Sequence, residues 1–277
     1  MSVDDPVIAD GGLLDELTTI VSAAAEAILA ARARALDART KADRSPVTAA
    51  DEAAEAVILE GLARVLPGAA VVSEEAASRE CPACVPDSFV LVDPLDGTRE
   101  LIAGRDEFTV NVAIVSGGRP RLGIVAAPAQ GVLWRGVEGQ GAERLHLSPG
   151  APASAVRERR AIRTRPPPRA GLTAVVSRSH LDSETEAFLA RLPITGRLTS
   201  GSAVKFCQVA EGAADVYPRL STTCEWDVAA GHAVLTAAGG VLTAPGGEAL
   251  SYGQIARNFR VPAFVAWGDP AAPARRI

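Results

Sequence analysis

The segment Phe89-Val-Leu-Val-Asp-Pro-Leu-Asp-Gly-Thr-Arg-Glu100 joins a run of apolar residues to two closely spaced aspartates. Its first residues, Phe89 to Val92, are apolar β-formers and predict a buried strand. We expect this strand to stop at Asp93, because Pro94 has no N–H to donate to a sheet ladder. The segment therefore places its carboxylates at the end of a strand.

These carboxylates, Asp93 and Asp96, flank a turn that is followed at once by Gly97 and Thr98. Carboxylate oxygens are ligands that Mg²⁺ prefers, and a glycine lets the backbone approach a phosphate closely. The turn therefore favours a magnesium–phosphate site. An ordinary acidic turn explains the same residues equally well when the segment is taken alone.

Composition limits the classes of protein that this chain can represent. Its 277 residues, 48% hydrophobic and 22% charged, are typical of a soluble globular protein with one bilobal domain or two domains. A net charge of −5 argues against a general nucleic-acid binder. We expect neither a signal peptide nor an integral membrane segment, and hence a cytoplasmic protein.

Cysteine usage agrees with a reducing compartment, in which the four cysteines would be free thiols. Cys81 and Cys84 have the spacing of a metal or redox motif. The other cysteines form no second pair, so we interpret this segment as a loop with incidental thiols. Lysine is rare, and Lys41 and Lys205 are its only two positions. We infer that Lys41 and Lys205 both do something that the planar fork of arginine cannot do.

The first half of the chain contains two helical patterns followed by strands. Leu13 to Leu36 has an apolar stripe at helical spacing, and Lys41 to Pro46 breaks it. Thr48 to Asp51 resembles a capping box that opens a second helix, which ends at Pro67-Gly68. After a polar loop at Ala76 to Ser88, glycine and proline breaks predict an antiparallel meander. The strands predicted here are Ala70 to Ser73, Phe89 to Val92, Phe108 to Val115, Arg121 to Ala127, Val132 to Val137 and Ala142 to Leu147.

The second half alternates strands with helices after a Pro-, Arg- and Ala-rich connector at Ser148 to Gly171. We predict lobes at residues 1–150 and 151–277 and a mixed α+β fold, a layered α/β sandwich with helices covering sheets. The predicted helices are Ser183 to Leu192, Ala203 to Gly212 and Asp227 to Ala238. The predicted strands are Leu172 to Ser177, Gly196 to Leu198, Ala214 to Tyr217, Val241 to Thr243 and Ala263 to Trp267.

Four acidic residues fall at predicted element ends: Glu74, Asp93, Asp96 and Asp227. Asp227 begins a helix, where backbone N–H groups and the helix dipole favour anions. Each acid alone is explained as a cap or turn residue. Together they predict a site for a phosphate bridged by magnesium.

Three segments resemble the signatures of the lithium-sensitive, magnesium-dependent phosphatases, a superfamily that includes inositol monophosphatase and fructose-1,6-bisphosphatase. They are Val71 to Glu75, Asp93 to Thr98 and Trp226 to Gly231. Further segments are similar to the CysQ-type 3′(2′),5′-bisphosphate nucleotidases. They are Lys41 to Asp51, Glu107 to Ala113, Ser202 to Gly212 and Tyr217 to Arg219. The similarity extends from about Lys41 to Trp267.

The resemblance implies roles for individual residues. Glu74, Asp93 and the Leu95 carbonyl would hold one Mg²⁺, and Asp93, Asp96 and Asp227 a second. Thr98, hydrogen-bonded to Asp51, would orient the attacking water, and Glu75 would hold another water. The catalytic residues would thus be Asp51, Glu75 and Thr98. The substrate-binding residues would be Glu74, Leu95, Asp96, Gly97, Thr98, His180, Ser202, Lys205, Arg219 and Asp227.

The implied activity is Mg²⁺-dependent removal of the 3′-phosphate of 3′-phosphoadenosine 5′-phosphate, giving AMP and phosphate. An inositol monophosphatase with the same metals, and a non-catalytic nucleotide-binding protein, are the alternatives. An aspartyl-phosphate phosphatase is disfavoured, because Asp93 and Asp96 are three positions apart.

We expect a monomer or homodimer. The resemblance also allows a peripheral location at the inner membrane face, because relatives can associate with that membrane, although the sequence offers no anchor for it.

Overall fold

The structure is a computed structural model that describes residues 11–34, 39–40 and 46–275. The predicted end of the first helix at Leu36 and the predicted break at Lys41 to Ser45 lie outside these residues. The described helices are α1 (Gly11–Arg34), α2 (Ala49–Val65), α3 (Glu74–Arg79), α4 (Thr98–Ile102), α5 (Ser183–Leu189), α6 (Val204–Ala210) and α7 (Glu225–Ala237).

A seven-stranded sheet forms the N-terminal part of the fold, with strand order β3-β4-β5-β6-β7-β8-β9. β3 pairs with β4 in parallel, and every later neighbour is antiparallel, so the predicted meander is confirmed. Its strands are β3 (Ala70–Ser73), β4 (Ser88–Asp96), β5 (Thr109–Ser116), β6 (Arg119–Ala127), β7 (Val132–Val137), β8 (Gly141–His146) and β9 (Glu158–Ile162).

A five-stranded sheet forms the C-terminal part, with strand order β11-β10-β12-β16-β14 and mixed strand directions. Its strands are β10 (Leu172–Ser177), β11 (Ile194–Ser200), β12 (Val216–Arg219), β14 (Val241–Thr243) and β16 (Phe264–Trp267). Two short pairs were not predicted: β1 (Arg39–Thr40) with β2 (Pro46–Val47), and β13 (Thr223–Cys224) with β15 (Arg260–Val261).

Helices and sheets alternate as five layers, which confirms the predicted layered α+β class. Side-chain alternation along β4 explains the order, because successive residues point to opposite faces. Val90 and Val92 pack with α1 and α2, whereas Phe89 and Leu91 pack in a second cluster with α6 and α7. The five-stranded sheet covers the other side of α6 and α7, and α5 covers the outer face of that sheet. The predicted division into lobes 1–150 and 151–277 stays a prediction.

The predicted stop of the central strand at Asp93 is wrong, because β4 continues through Pro94 to Asp96. Asp93 lies opposite Asn111 and Asp96 lies opposite Thr109, so β4 carries one residue more than β5 between these pairs. This β-bulge accommodates a residue that cannot donate to the ladder. It also changes the phase of the strand, so Asp93 and Asp96 face partners on the same side of β5.

Two predicted loops contain regular structure. The first turns of the Ala76 to Ser88 loop are helical, because Ser73 caps α3 by accepting from the Ala76 N–H at 3.2 Å. The Ser148 to Gly171 connector contains β9, whose residues 158–161 are exposed and whose Ile162 is buried. An edge strand with one buried side chain shows almost no apolar alternation, and its arginines therefore resemble a solvated segment.

Within the described residues, no helix combines the length and the hydropathy that a bilayer span requires.

The close approach of α7 to the sheet depends on Gly123 of β6. A Cβ at this position would lie 2.8 Å from the Ala233 Cβ and 3.0 Å from the Ala230 carbonyl carbon. We expect Gly123→Ala to lower the free energy of unfolding by about 1–3 kcal/mol through overpacking. Urea denaturation measures this loss. Gly268→Ala is the control, because its Cβ would meet only ordinary contacts from 3.4 Å outward; equal losses would contradict the packing argument.

Candidate metal centre and active site

Three carboxylates converge at one point. Glu74, Asp93 and Asp227 each offer an oxygen, and these oxygens all lie within 4.8 Å of one another. They come from the start of α3, the bulged end of β4 and the first turn of α7. Three of the four acids that the sequence placed at element ends thus come together, although they lie far apart in the chain.

Helix capping fixes two members of the cluster. Glu74 is the first residue of α3, directly after the cap Ser73, whose hydroxyl donates to the Glu55 carboxylate. Asp227 accepts at Oδ2 from the Cys224 N–H at 3.0 Å and from the Thr223 hydroxyl. Both carboxylates lie in the first turn of a helix, where the dipole stabilises negative charge. The capping explanation is correct for Asp227, and for Glu74 the cap is the preceding Ser73.

Asp93 is the buried centre of the site, with no exposed surface. Its Oδ1 accepts from the Leu95 N–H at 3.0 Å, whereas its Oδ2 has no hydrogen-bond partner among the described residues. Burial, and then the neighbouring charges of Glu74, Asp96 and Asp227, raise the pKa of Asp93 well above its usual value. A divalent cation with hard-oxygen preference would satisfy the unpaired oxygen and offset this repulsion. The donor set therefore fits such an ion.

Asp96 lies next to this group, half-buried, with Thr109 Oγ1 donating to its Oδ2 at 3.5 Å. Burial and the charge of Asp227 raise the pKa of Asp96 to about 6, against the opposing effect of Lys205 and Arg219. Asp96 lies outside the group whose oxygens meet within 4.8 Å, but it lines the same cavity, as does Leu95. Its predicted role in holding a second cation stays a prediction.

The glycine after Asp96 has the left-handed backbone that the tight turn needs, with φ = 95°. A Cβ at Gly97 would meet the Ser202 hydroxyl and lie 3.1 Å from the Glu107 carbonyl oxygen. Thr98 then begins α4, and its Oγ1 lies 3.0 Å from Asp51 Oδ1 and 3.3 Å from the Leu95 carbonyl. The predicted Thr98–Asp51 hydrogen bond is present.

Asp51 has two separate functions in the fold. Its Oδ2 accepts from the Thr48 N–H and from the Thr48 hydroxyl, both at 2.8 Å, which completes the capping box of α2. Its Oδ1 accepts from Thr98. Asp51 is buried, at 2% exposure, and does not itself line the cavity, but its partner Thr98 does.

A cavity of about 200 Å³ opens beside the cluster. It is lined by eleven of the predicted site residues: Glu74, Asp93, Leu95, Asp96, Gly97, Thr98, His180, Ser202, Lys205, Arg219 and Asp227. Glu75 is buried but does not line this cavity. Its predicted water-holding role stays a prediction.

Two cationic residues of the cavity, Lys205 and Arg219, come from the C-terminal half of the chain, and Arg99 is a third from the N-terminal half. Lys205 is buried; its Nζ donates to the Ser202 carbonyl at 2.5 Å and lies 5.2 Å from the centre of the Tyr217 ring. Burial lowers the pKa of Lys205 to about 8, although the charge of Asp96 opposes the shift. The buried Nε of Arg219 has no hydrogen-bond partner among the described residues. The pKa of His180 is lowered by burial and by the charges of Arg219 and Arg99.

Ser202 connects the two sides of the site rather than pointing its hydroxyl into the cavity. Its Oγ lies 2.9 Å from the Asp96 carbonyl and 2.8 Å from the Glu107 carbonyl, and its backbone is left-handed, with φ = 50°. Three further hydrogen bonds join the residues after β10 to the first half of the chain: Arg178 donates two bonds of 2.7 Å to Glu107, and the Ser179 hydroxyl donates to Glu100.

The sequence reasoning missed four cavity residues: Arg99, Glu100, Ser177 and Gly201. A sequence signal existed for Arg99 and Glu100, because they directly follow the Asp93 to Thr98 turn and form the first turn of α4. Ser177 ends β10 and Gly201 follows β11, and no local pattern distinguishes such strand ends from others.

The layered fold and a carboxylate cluster beside a cationic cavity define a protein of the phosphatase type that the sequence resembles. The family model described as "Inositol monophosphatase family" matches residues 13–274. This match covers nearly the whole chain, and the chain therefore belongs to the inositol monophosphatase family.

Within this family, the chain is similar both to nucleotidases and to inositol monophosphatases. The chain is 39% identical over 242 residues to "3'(2'),5'-bisphosphate nucleotidase CysQ" of Escherichia coli (strain K12), covering 87% of this chain and 94% of that protein. The crystal structure of CysQ from Bacteroides thetaiotaomicron has a TM-score of 0.76 and 34% identity, covering 91% of this chain and 95% of that one. An inositol monophosphatase from Anabaena has a TM-score of 0.71 and 25% identity, covering 94% and 92%.

Protons would compete with a divalent cation for these carboxylates, so cation binding at the cluster would depend on pH. Folding raises the pKa of Asp93 and Asp96, so the metal-free folded protein binds more protons than the unfolded chain. Its free energy of unfolding therefore falls as the pH rises from 3.8 through about 6. We expect Mg²⁺ to bind at least ~10-fold more weakly at pH 5 than at pH 7.

Thermal unfolding across a Mg²⁺ series, with EDTA as the metal-free reference, measures this affinity at each pH. The Tm increase caused by Mg²⁺ should be larger at pH 7 than at pH 5. An equal increase at both would contradict a cation held by these carboxylates.

Proposed function

We propose that this chain is a 3′(2′),5′-bisphosphate nucleotidase that hydrolyses 3′-phosphoadenosine 5′-phosphate to AMP and phosphate. The observation that carries the proposal is the 39% identity to a CysQ nucleotidase over 94% of that protein's length. The site supports it independently, because an acidic cluster and a cationic patch line one cavity. This pairing suits a substrate with two phosphates.

Mg²⁺ is the cofactor that we propose. Glu74, Asp93 and the Leu95 carbonyl would hold one ion, and Asp93, Asp96 and Asp227 a second. Bound there, the ions would supply charge stabilisation for the attacking and leaving oxygens of an in-line displacement. The residues contribute by holding five oxygen donors at the ends of rigid elements, which limits reorganisation during the reaction.

Thr98 is proposed to orient the attacking water. Its hydroxyl proton is directed to Asp51 Oδ1 at 3.0 Å, so the lone pairs of Oγ1 face away from Asp51 and can accept a proton of that water. Asp51 keeps the hydroxyl in this orientation, because the bonds from Thr48 fix its own position. Glu75 is proposed to hold a second water from its buried position behind Glu74.

The cationic patch is proposed to bind the phosphate that is not cleaved. Lys205 and Arg219 bring positive charge to the cavity, and the unpaired Nε of Arg219 is a donor available for an anion. Gly97 and Thr98 would contact the reacting phosphate, with Ser202 and His180 on the nucleotide side. At about 200 Å³ the enclosed cavity is smaller than the ~300–1,000 Å³ usual for a ligand pocket. The base would therefore lie at the open rim, near His180.

Two alternatives make different predictions about activity. An inositol monophosphatase is favoured by the Anabaena structure at 25% identity, which is lower than the identity to the nucleotidases. A non-catalytic nucleotide-binding protein does not account for the intact Thr98–Asp51 pair.

A cytoplasmic location, peripheral membrane association and a monomer or homodimer state stay predictions from the sequence.

A substrate panel tests the proposed activity. We expect Mg²⁺-dependent phosphate release from 3′-phosphoadenosine 5′-phosphate to exceed release from inositol 1-phosphate and fructose 1,6-bisphosphate by at least ~10-fold in kcat/KM. Phosphate release is measured with Mg²⁺, with EDTA, and with Mg²⁺ plus lithium. Preference for inositol 1-phosphate would support the first alternative, and no turnover of any compound would support the second.

Removal of the central carboxylate tests the assigned chemistry. We expect Asp93→Asn to lower kcat by at least ~10²-fold while it weakens nucleotide binding less, because the lost interaction stabilises the transition state. Steady-state kinetics and nucleotide titration measure the two effects. Asp87→Asn is the control, since Asp87 precedes the same strand and lies outside the cluster. Near-normal turnover by Asp93→Asn would overturn the metal assignment.

A further inference from the structure

Asn111 is a buried polar residue that the proposed mechanism does not use. It lies in the middle of β5 and is 1% exposed. Neither its amide nitrogen nor its amide oxygen has a hydrogen-bond partner among the described residues. Burying an amide without partners is unfavourable. A carboxamide at this position therefore calls for an explanation other than packing.

The register of the sheet places Asn111 opposite Asp93. The two residues form a direct cross-strand pair on the antiparallel β4–β5 ladder. Side chains of such a pair point to the same face, with Cβ atoms ~4.5–5.5 Å apart. Asp93 Oδ2 is also without a hydrogen-bond partner among the described residues, so this ladder pair carries an unsatisfied polar group on each strand. On its other side Asn111 pairs with Val125, which offers no polar group.

The neighbouring pair on the same ladder has a matching arrangement. Past the bulge, Asp96 lies opposite Thr109, and the Thr109 hydroxyl lies 3.5 Å from Asp96 Oδ2. Thr109 and Asn111 are two residues apart on β5 and therefore face the same side. The bulge in β4 thus aligns two acids with two potential donors.

We propose that Asn111 is a positioning residue for Asp93, an inference that rests on the proposed function. The two side chains form no hydrogen bond with each other in this structure; with a cation bound, the Asn111 amide would donate to the Asp93 carboxylate and hold Oδ2 toward the ion. As a neutral donor, the amide favours the ionised carboxylate without adding a charge that would compete with the cation. Hydrogen bonds to ligating carboxylates commonly tune metal affinity in this way.

The test compares Mg²⁺ affinity with the stability of the metal-free protein. We expect Asn111→Leu to weaken Mg²⁺ binding ~10–100-fold, measured by calorimetry and by the Tm increase in a Mg²⁺ series. In EDTA the Tm of this variant should equal or exceed that of the wild type, because an unsatisfied amide is replaced by an apolar side chain of similar size. A merely structural role would instead lower the Tm in EDTA.

Two further variants complete the experiment. Asn111→Ser keeps a donor and should recover part of the Mg²⁺ affinity; it also replaces Asn111→Leu should that variant fail to fold. Ser116→Ala is the matched control, because Ser116 is buried at the far end of β5, where it is bonded to Ser88, and should leave Mg²⁺ affinity unchanged.

The outcomes separate the two proposals. Equal Mg²⁺ affinity in wild type and Asn111→Leu would overturn the role of Asn111 and leave the nucleotidase proposal intact. A wild-type protein that binds no Mg²⁺ would overturn the proposed function itself, and the inference with it.

Discussion

Repulsion among buried carboxylates is the constraint around which this structure is arranged. Asp93 has no exposed surface, and the charges of Glu74, Asp96 and Asp227 all act on it. Such a group is stable only where protons, helix dipoles or a cation offset its charge. The helix starts at α3 and α7 supply part of this compensation, and the cavity admits an ion for the rest. The fold therefore stores an electrostatic cost at the point where a divalent cation would bind.

The layered architecture could be predicted because it depends on patterns that are local in the chain. The capping box at Thr48 and Asp51, the apolar run from Phe89 and the turn glycines each specify an element by side-chain chemistry at close spacing. The exceptions have definite causes. Pro94 indicated the end of a strand, but β4 continues past it through a β-bulge. The bulge depends on how β4 pairs with the neighbouring strand β5, which the local sequence does not show. Strand β9 has one buried side chain, so its pattern lacks the alternation that signals a strand.

For the site, the sequence indicated which acids are involved but not how they come together. The acids at element ends could be identified because helix starts and strand ends are visible in sequence, and family resemblance suggested their common purpose. Their convergence could not be derived, since it depends on how α7 packs over the sheet. Arg99 adjoined a recognised motif, whereas Ser177 and Gly201 come to the cavity only through the topology of the second sheet. Asn111 belongs to the Glu107 to Ala113 segment that resembles the nucleotidases, but only the strand register shows that it lies opposite Asp93.

The two oxygens of the Asp51 carboxylate accept hydrogen bonds from different elements, which links the motion of a helix end to the site. One oxygen closes the first turn of α2, and the other accepts from Thr98 beside the carboxylate cluster. Fraying of that helix end would release the Thr98 hydroxyl as well. If Thr98 orients the attacking water as proposed, this local event would interrupt turnover. The melting of a single helical turn would then set the upper temperature of activity, well before the protein as a whole unfolds.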